Sequence, residues 1–194
     1  DVSQSQMQRP RLLVLFASYC GGAEKGARGR STLAKLRCLG ARVLAMDDSP
    51  VDELSSEPNV VFVTSTAGQG EPPQNGRLMM KALAKQPTGL LNEETRFAVF
   101  GMGDSHYWPR PEEAGCYNKP GKDLDKRLAE LGASRMLNLG LGDDQDADGW
   151  QTGYKAWEPQ LWKALGVDSV TVTEAEPEPI TNEHIKLASS YLRG

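Results

Sequence analysis

The segment VFVTSTAGQGEPPQNG (Val61–Gly76) changes character in its middle, and this change is the main clue to the fold. Its first residues form a continuous apolar run, which is typical of a strand buried on both faces. Small hydroxyl and glycine residues follow, with no basic side chain among them, and then two prolines. The pattern predicts a buried strand that ends in a loop where the polar edge of a flat ligand can approach the backbone closely.

Five such apolar runs alternate with helical patterns along the chain. The predicted strands are RLLVLFAS (11–18), ARVLAMD (41–47), NVVFVTS (59–65), RFAVFGMG (96–103) and RMLNLGLG (135–142). Helices are predicted at about residues 23–39, with Gly40 as the stop, 74–85, 122–131 and 153–165. Together they predict an α/β fold, a doubly wound five-stranded parallel sheet with helices on both faces. In such sheets ligands bind at the carboxyl ends of the strands, where the strand order reverses, so the loops after strands one, three and four are the candidate site.

The chain divides into four predicted segments. Residues 1–10 form an N-terminal extension, and residues 11–167 form the α/β domain. Residues 168–180 are acidic and contain prolines, which favours an extended linker. Residues 181–194 have the pattern of a short amphipathic helix, which either packs back on the domain or begins a further one.

Composition restricts the partners. A formal net charge of −4 argues against nucleic acid or an anionic membrane surface and favours a basic docking partner. Three cysteines with no C-x-x-C spacing favour a reducing compartment and argue against a zinc or iron–sulfur site in this chain. No apolar run approaches the ~18 residues of a membrane span, and the N-terminus lacks a signal-peptide core. The sequence therefore predicts a cytoplasmic protein.

The loop after the first strand, ASYCGGAEKG (17–26), lies between a strand and a helix N-terminus. Its two adjacent glycines let backbone N–H groups turn toward an anion at the positive end of the helix, so a single phosphate is one interpretation. The G-x-x-x-x-G-K-S/T pattern of nucleoside triphosphatases and the G-x-G-x-x-G pattern of dinucleotide sites are both absent. An ordinary glycine turn that only starts the helix remains the alternative.

The connection after the fourth strand is long, at roughly 20 residues, and long loops in compact domains are usually functional or disordered. Tyr107 and Trp108 follow the strand end, where an aromatic ring can stack on a ligand, although a core position for Trp108 is an equal alternative. His106 has no paired nucleophile, which favours a solvated loop residue over a catalytic base. The acidic stretch Asp143–Asp148 does not follow calcium-loop spacing and is interpreted as a solvated acidic rim.

These segments together resemble the flavodoxin family, specifically the FMN domains of diflavin reductases, over about residues 11–167. The stretches FAVFGMGDSHYW (97–108) and KDLDKRLAELGASRMLNLGLGDDQD (122–146) carry this resemblance. The longer stretch GDSHYWPRPEEAGCYNKPGKD (103–123) and the terminal NEHIKLASSYLRG (182–194) are most similar to the flavodoxin-like region of the hemoprotein (beta) subunit in fungal-type assimilatory NADPH sulfite reductases. That likeness implies that the acidic linker tethers a downstream siroheme domain in the same natural chain.

The resemblance also assigns roles by position. Residues 18–23 are implied to hold the FMN phosphate, residues 65–70 one side of the flavin ring and residues 103–108 the other. Tyr107 matches the outer stacking aromatic, and Asp143 matches an acid near the flavin. The implied cofactor-binding set is Ser18, Tyr19, Cys20, Gly21, Gly22, Ala23, Ser65, Thr66, Ala67, Gly68, Gln69, Gly70, Gly103, Asp104, Ser105, His106, Tyr107, Trp108 and Asp143.

Two departures from the family pattern bear on the cofactor. The family phosphate loop reads S-x-T-G-T-A-E, whereas Cys20 and Gly22 stand at its two threonines. Two lost hydrogen bonds to a charged group, at ~1.5–3 kcal/mol each, weaken binding by several powers of ten unless backbone amides compensate. Ala67 stands where cytochrome P450 reductase has an inner aromatic, as in the sulfite reductase type. Weak FMN binding and loss of FMN are therefore both open.

The resemblance implies an electron relay without catalytic or metal-binding residues of its own. FMN is expected to take electrons from an FAD- and NADPH-binding reductase subunit and pass them singly to a siroheme and iron–sulfur centre that reduces sulfite to sulfide. FAD, NADPH, siroheme and the cluster are expected only on partner domains, so the chain is part of an oxidoreductase and not an enzyme alone. The alternative is a flavodoxin-like docking module that has lost FMN and serves subunit assembly. Nitrite is a second possible final acceptor.

Overall fold

A computed structural model describes residues 11–18 and 40–167 of the chain. The strands are β1 (Leu13–Ala17), β2 (Arg42–Ala45), β3 (Asn59–Ser65), β4 (Arg96–Gly103), β5 (Ser134–Arg135) and β6 (Gly140–Asp143). The α-helices are α1 (Arg77–Lys85), α2 (Lys119–Glu130) and α3 (Gln151–Ala164), and short 3-10 helices occupy Met46–Asp48, Val51–Ser56, Gln74–Gly76 and Pro111–Cys116. The predictions for residues 1–10, 19–39 and 168–194, including the first helix, the linker and the terminal helix, lie outside the described residues.

The strands form one parallel sheet, which confirms the predicted doubly wound architecture. Their order is β2-β1-β3-β4-β5, and β6 also pairs with β4. The chain runs from β1 outward to β2 and then returns to place β3 on the other side of β1. The strand order therefore reverses between β1 and β3. In sheets of this kind ligands bind beside such a reversal, at the carboxyl ends of the strands.

Alternate residues of the central strands point to opposite faces of the sheet, and both faces are buried. On one face Val14, Val61 and Phe100 pack with Trp157 and Leu161 of α3. On the other face the core comprises Leu13, Leu15, Phe62, Val99, Met79, Leu83, Leu124 and Leu128, and it includes residues of α1 and α2. Because both faces bury apolar residues, these strands read in the sequence as continuous apolar runs.

The N-terminus of α1 is fixed beside the end of β1. The Met79 N–H donates to the Asp47 carboxylate at 2.9 Å, so a residue that follows β2 caps the helix and complements its dipole. Gly76, just before the helix, lies so close to β1 that an added Cβ atom would come within 2.7 Å of the Ala17 side chain. The helix and its entry turn are thus brought against the carboxyl edge of the sheet.

Asn118 sets the start of α2. It is fully buried, has a φ of 53°, and donates from Nδ2 to the Gly142 carbonyl at 3.2 Å. A Cβ atom at Gly101 would lie 3.0 Å from Asn118 Oδ1, so the glycine is what allows α2 to begin this near β4. The helix begins at Lys119, three residues earlier than predicted. Pro120 is compatible with this start because the first turn of a helix needs no donor there.

The fifth predicted strand (135–142) is interrupted in the structure. Phe97 pairs with Arg135 and Phe100 pairs with Gly140, so three steps along β4 face five steps along the partner. The two extra residues leave the ladder between β5 and β6, and their excursion could not be inferred from an apolar run alone. The second strand is also shorter than predicted, because a 3-10 helix begins at Met46.

Candidate functional site

The predicted site loops meet at the carboxyl edge of the sheet because the strand register places their starting points side by side. Ser65 of β3 pairs with Met102 of β4, and Gly103 of β4 pairs with Asp143 of β6. The loop Ser65–Gly70 is called the glycine loop below, and the loop Gly103–Trp108 is called the aromatic loop. These two loops, Ser18 and Asp143 are thus brought together, as parallel strands require.

Ser18 is the one predicted phosphate-loop residue that the structure describes. Its N–H donates to the Asn75 side chain at 3.0 Å, which ties the end of β1 to the turn before α1. Its hydroxyl oxygen is buried and has no hydrogen-bond partner within the described ranges. A buried hydroxyl normally has a partner, so this one suits a ligand oxygen. The other five positions, residues 19–23, lie outside the described residues.

The glycine loop is a tight turn held by its own backbone. The Ala67 N–H donates to the Glu71 carbonyl at 2.9 Å, and the Glu71 and Gly70 N–H groups both donate to the Ala67 carbonyl. Gly68 and Gly70 have φ values of 43° and 87°, which side chains rarely adopt. A Cβ atom at Gly70 would lie 3.1 Å from the Cys116 backbone. Both glycines are therefore required by the backbone.

The aromatic loop presents one ring to solvent. The Asp104 carboxylate accepts from the His106 N–H at 2.9 Å, and the Asp104 carbonyl accepts from the Tyr107 N–H at 3.2 Å. This side-chain-braced turn leaves 61% of Tyr107 exposed. Large exposed aromatic side chains are common at binding surfaces, because one end of the ring is apolar and the other polar. Among the predicted site residues that the structure describes, Tyr107 is the best placed to stack on a ligand.

Trp108 lies behind that surface. Only 7% of it is exposed, and its indole N–H donates to the Gly68 carbonyl at 3.1 Å. Of the two positions the sequence left open, the structure gives Trp108 the buried one. It still contacts both loops, because its ring lies 5.0 Å from the Tyr107 ring, edge to face. Thr66 adds a second link at the base of the loops, where its hydroxyl donates to the Met102 carbonyl at 3.0 Å.

Asp143 braces the aromatic loop from β6. Its carboxylate accepts from the N–H groups of Ser105 at 2.9 Å and Gln145 at 3.1 Å. Burial by itself raises the pKa of Asp143, but these hydrogen bonds and the nearby His106 outweigh it and hold the pKa below the usual 3.8. The carboxylate is therefore ionised at neutral pH and places a fixed negative charge next to the aromatic loop.

Three residues near this charge were not predicted from the sequence. Gln145 donates from its side chain to the Asp104 carboxylate at 2.7 Å and so bridges the two strand ends. Burial raises the pKa of Tyr117, and the negative charges of Asp143 and Asp146 raise it further, so its phenol stays protonated. Asn118 holds β6 as described above. None of them carries a local sequence signal, because each acts through residues distant in the chain.

The acidic rim is exposed on the same edge. Asp144, Asp146 and Asp148 are exposed, and Asp148 pairs with Lys155 at 2.5 Å. Across residues 11–18 and 40–167 no group of three or more His, Cys, Asp or Glu side chains is arranged to hold a metal ion. In the same ranges, no helix combines the length and the apolar character needed to cross a bilayer.

Comparison with known proteins gives consistent relatives. A family model described as Flavodoxin matches residues 14–157. Subunit beta of NADPH sulfite reductase from Schizosaccharomyces pombe is 52% identical over 95% of this chain, and its Saccharomyces cerevisiae counterpart is 53% identical over the same share. The matched regions are 12% and 13% of those proteins, so this chain spans about an eighth of their length.

A solved structure of comparable size supports the architecture. A single-site mutant of flavodoxin from Pseudomonas aeruginosa superposes with a TM-score of 0.61 at 25% sequence identity. The match covers 80% of this chain and 99% of that one.

Proposed function

Because this chain belongs to the flavodoxin family, we propose that it binds FMN at the carboxyl edge of its sheet and relays single electrons in an assimilatory NADPH sulfite reductase. The observation that carries the proposal is the juxtaposition of the glycine loop, the aromatic loop and the exposed Tyr107 ring at the strand-order reversal. A flat, polar-edged ligand fits this combination of close backbone approach and one open aromatic face.

The residues present fit FMN at three points. The buried Ser18 hydroxyl, which has no hydrogen-bond partner among residues 11–18 and 40–167, suits a phosphate oxygen. The glycine loop suits the polar edge of the flavin ring, since its backbone is open to close approach. The Tyr107 ring suits the flat face of the ring. The complete predicted binding set, including residues 19–23, stays part of this proposal.

When bound, FMN supplies reversible one-electron transfer, and no acid–base catalyst is needed from the chain. The role of the described residues is to hold and bias the group. The ionised Asp143 carboxylate and the exposed aspartates of the rim oppose the build-up of further negative charge beside the aromatic loop. They therefore favour early release of electrons to an acceptor. The protonated Tyr117 phenol adds no charge of its own.

In this proposal the electron donor and the electron acceptor both lie on other protein domains. The proposed donor is an FAD- and NADPH-binding reductase subunit, and the proposed acceptor is an iron–sulfur and siroheme centre that reduces sulfite to sulfide. The names of the two fungal relatives support the sulfite reductase assignment. By this proposal the chain is one domain of an oxidoreductase and has no catalytic activity alone. A downstream siroheme domain in the same natural chain, and a cytoplasmic location, stay predictions.

The acidic rim is proposed to steer a basic surface of the partner. Its exposed aspartates attract such a surface through water, and this attraction is screened over about 10 Å at 0.1 M salt. Stopped-flow electron transfer to the partner is therefore expected to slow steeply as salt is raised. Rates that stay flat from low to high ionic strength would contradict the steering role.

A docking module that has lost FMN is the second candidate. The specific observation in its favour is the replacement of two family threonines by Cys20 and Gly22 in the phosphate loop. Such a module needs neither the exposed Tyr107 ring nor the glycine loop, and this is why FMN binding is preferred.

A titration separates the two candidates. FMN is added to the 194-residue chain, and the quenching of flavin fluorescence is followed, with Tyr107→Ala as the variant that lacks the exposed ring. Saturable quenching that weakens in the variant supports the proposal. If a large excess of the chain leaves the fluorescence of FMN unchanged, the FMN-binding proposal is overturned and the docking role remains.

A further inference from the structure

Trp108 occupies an unusual position between the two loops of the proposed flavin site. Its indole is buried, yet it comes from the aromatic loop and reaches the apex of the glycine loop. A buried indole N–H normally needs an acceptor, and here the acceptor is a carbonyl of the other loop. Trp108 therefore links the two loops through this contact.

The hydrogen bond from the Trp108 indole fixes a part of the glycine loop that the backbone hydrogen bonds of the turn do not include, the Gly68 carbonyl. The paired N–H and carbonyl groups of Ala67 and Glu71 close the base of the turn. Gly68 lies at the apex with a φ of 43°, where a glycine peptide can rotate at little cost. The 3.1 Å bond to the Gly68 carbonyl holds that peptide in one orientation.

The same bond orients a donor. In a trans peptide the N–H group points opposite to the carbonyl, so fixing the Gly68 carbonyl also fixes the direction of the Gln69 N–H. Backbone donors of this loop are the groups proposed to meet the flavin edge. The orientation of the Gly68–Gln69 peptide therefore matters for the ligand, independently of any contact that Trp108 itself makes with it.

The second contact of Trp108 is with the stacking residue. The rings of Tyr107 and Trp108 lie 5.0 Å apart at 72°, an edge-to-face geometry that favours one orientation of the exposed ring. One buried indole thus contacts the ring on one side of the proposed site and the peptide on the other.

We propose that Trp108 is a positioning residue that couples the glycine loop to the aromatic loop, so that both sides of the flavin site hold one geometry. The inference rests on the proposed function for its ligand, but the coupling itself belongs to the protein without ligand. Removing the indole N–H should loosen the glycine loop and weaken FMN binding while the fold stays intact.

The test compares Trp108→Phe with Trp157→Phe in the full 194-residue chain. Trp157 is a matched control, because it is 5% exposed and its indole also donates to a backbone carbonyl, that of Asn138, at 3.0 Å. Trp157 lies on α3, in the core on one face of the sheet. Both variants lose one neutral indole hydrogen bond, but only the first loses a bond that links the two loops.

The ligand readout is FMN affinity, measured by fluorescence quenching with oxidised FMN and by anaerobic isothermal titration with chemically reduced FMN. Trp108→Phe is expected to raise the dissociation constant about fivefold, the effect of one neutral hydrogen bond, and to change the ratio between the two forms of FMN. Trp157→Phe is expected to stay within about twofold of wild type. Equal losses in both variants would show a general packing effect and overturn the proposal.

A second variant and a measurement without ligand test the same coupling. Benzothienylalanine at position 108 keeps the bicyclic ring and removes only the N–H, which covers the case that Trp108→Phe fails to fold. Hydrogen exchange of the Gly70 and Glu71 amides in the ligand-free chain should accelerate about fivefold in the position-108 variants and not in Trp157→Phe. Unchanged exchange overturns the coupling, whereas a wild-type chain that ignores FMN overturns the proposed function alone.

Discussion

The two loops of the candidate site are held in different ways. The glycine loop is closed by backbone hydrogen bonds and two positive-φ glycines, and it carries no charged side chain. The aromatic loop is held by carboxylates, with Asp104 and Asp143 accepting from backbone N–H groups. The first construction depends on sterics and the second on ionisation. The two sides of the site should therefore respond to different perturbations.

The largest expected effect comes from adding a methyl group to the glycine loop. Gly70→Ala forces a side chain onto a φ of 87° and into the Cys116 backbone, which together cost about 2–4 kcal/mol of unfolding free energy. Gly89→Ala is the matched control, since Gly89 has a φ of 86° with nothing within 4 Å of an added Cβ atom. Urea unfolding of both variants isolates the contact, and equal losses would show that the loop is not tightly packed.

The aromatic loop should lose less when its carboxylate is removed. Asp143→Ala leaves the Ser105 and Gln145 N–H groups without this acceptor, and because water can partly replace it, the cost is about 1–2 kcal/mol. Asp148→Ala removes only an exposed pairing with Lys155, so its unfolding midpoint in urea should hardly move. A large shift in the second variant would place the important charge in the rim and not beside the loop.

Loss of the exposed ring separates binding from stability. Tyr107→Ala should weaken FMN about fivefold through the lost stacking face, while the unfolding free energy changes little because the ring is 61% exposed. Tyr107→Phe keeps the ring and should bind FMN within about twofold of wild type. Isothermal titration and urea unfolding on the same samples give the two numbers. Equal FMN affinity in the alanine variant would remove Tyr107 from the site.

The smallest effect is a pH dependence confined to the carboxylate-held side. The pKa of Asp143 is lower in the folded chain than in the unfolded chain, so its stabilisation is present above about pH 4 and is lost as pH falls through the folded-state pKa. The stability gap between wild type and Asp143→Ala should therefore shrink below about pH 4. The gap between wild type and Gly70→Ala should keep its size, and urea titrations from pH 3 to pH 6 measure both.

The sequence was a good guide where structure depends on local pattern. Apolar runs such as Asn59–Ser65 and Arg96–Gly103 coincide with β3 and β4, and their ends located the loops that meet at the site. The parallel order followed from the alternation of strands and helices. These features can be predicted because a strand buried on both faces consists of a continuous run of apolar residues.

Features that depend on contacts between distant residues were not predictable. Trp108 follows Tyr107 in the chain, but its buried indole donates to a carbonyl 40 positions earlier. Asp47 lies after an edge strand with no local sign that it caps α1. Gln145 was one polar residue within an acidic stretch, yet it bridges to Asp104. In each case the partner is brought near only by the completed sheet.

The interruption between β5 and β6 determines which deletions in this part of the chain would keep the side chains of β6 on their present faces of the sheet. Because the excursion adds two residues, an even number, the alternation of side chains is the same before and after it: Arg135 lies over the Phe97 ring, and Gly140 meets Phe100 on the opposite face. Deleting two residues there would keep each side chain of β6 on its present face of the sheet. Deleting a single residue would reverse the alternation and turn Asp143, at the end of β6, toward the opposite face of the sheet.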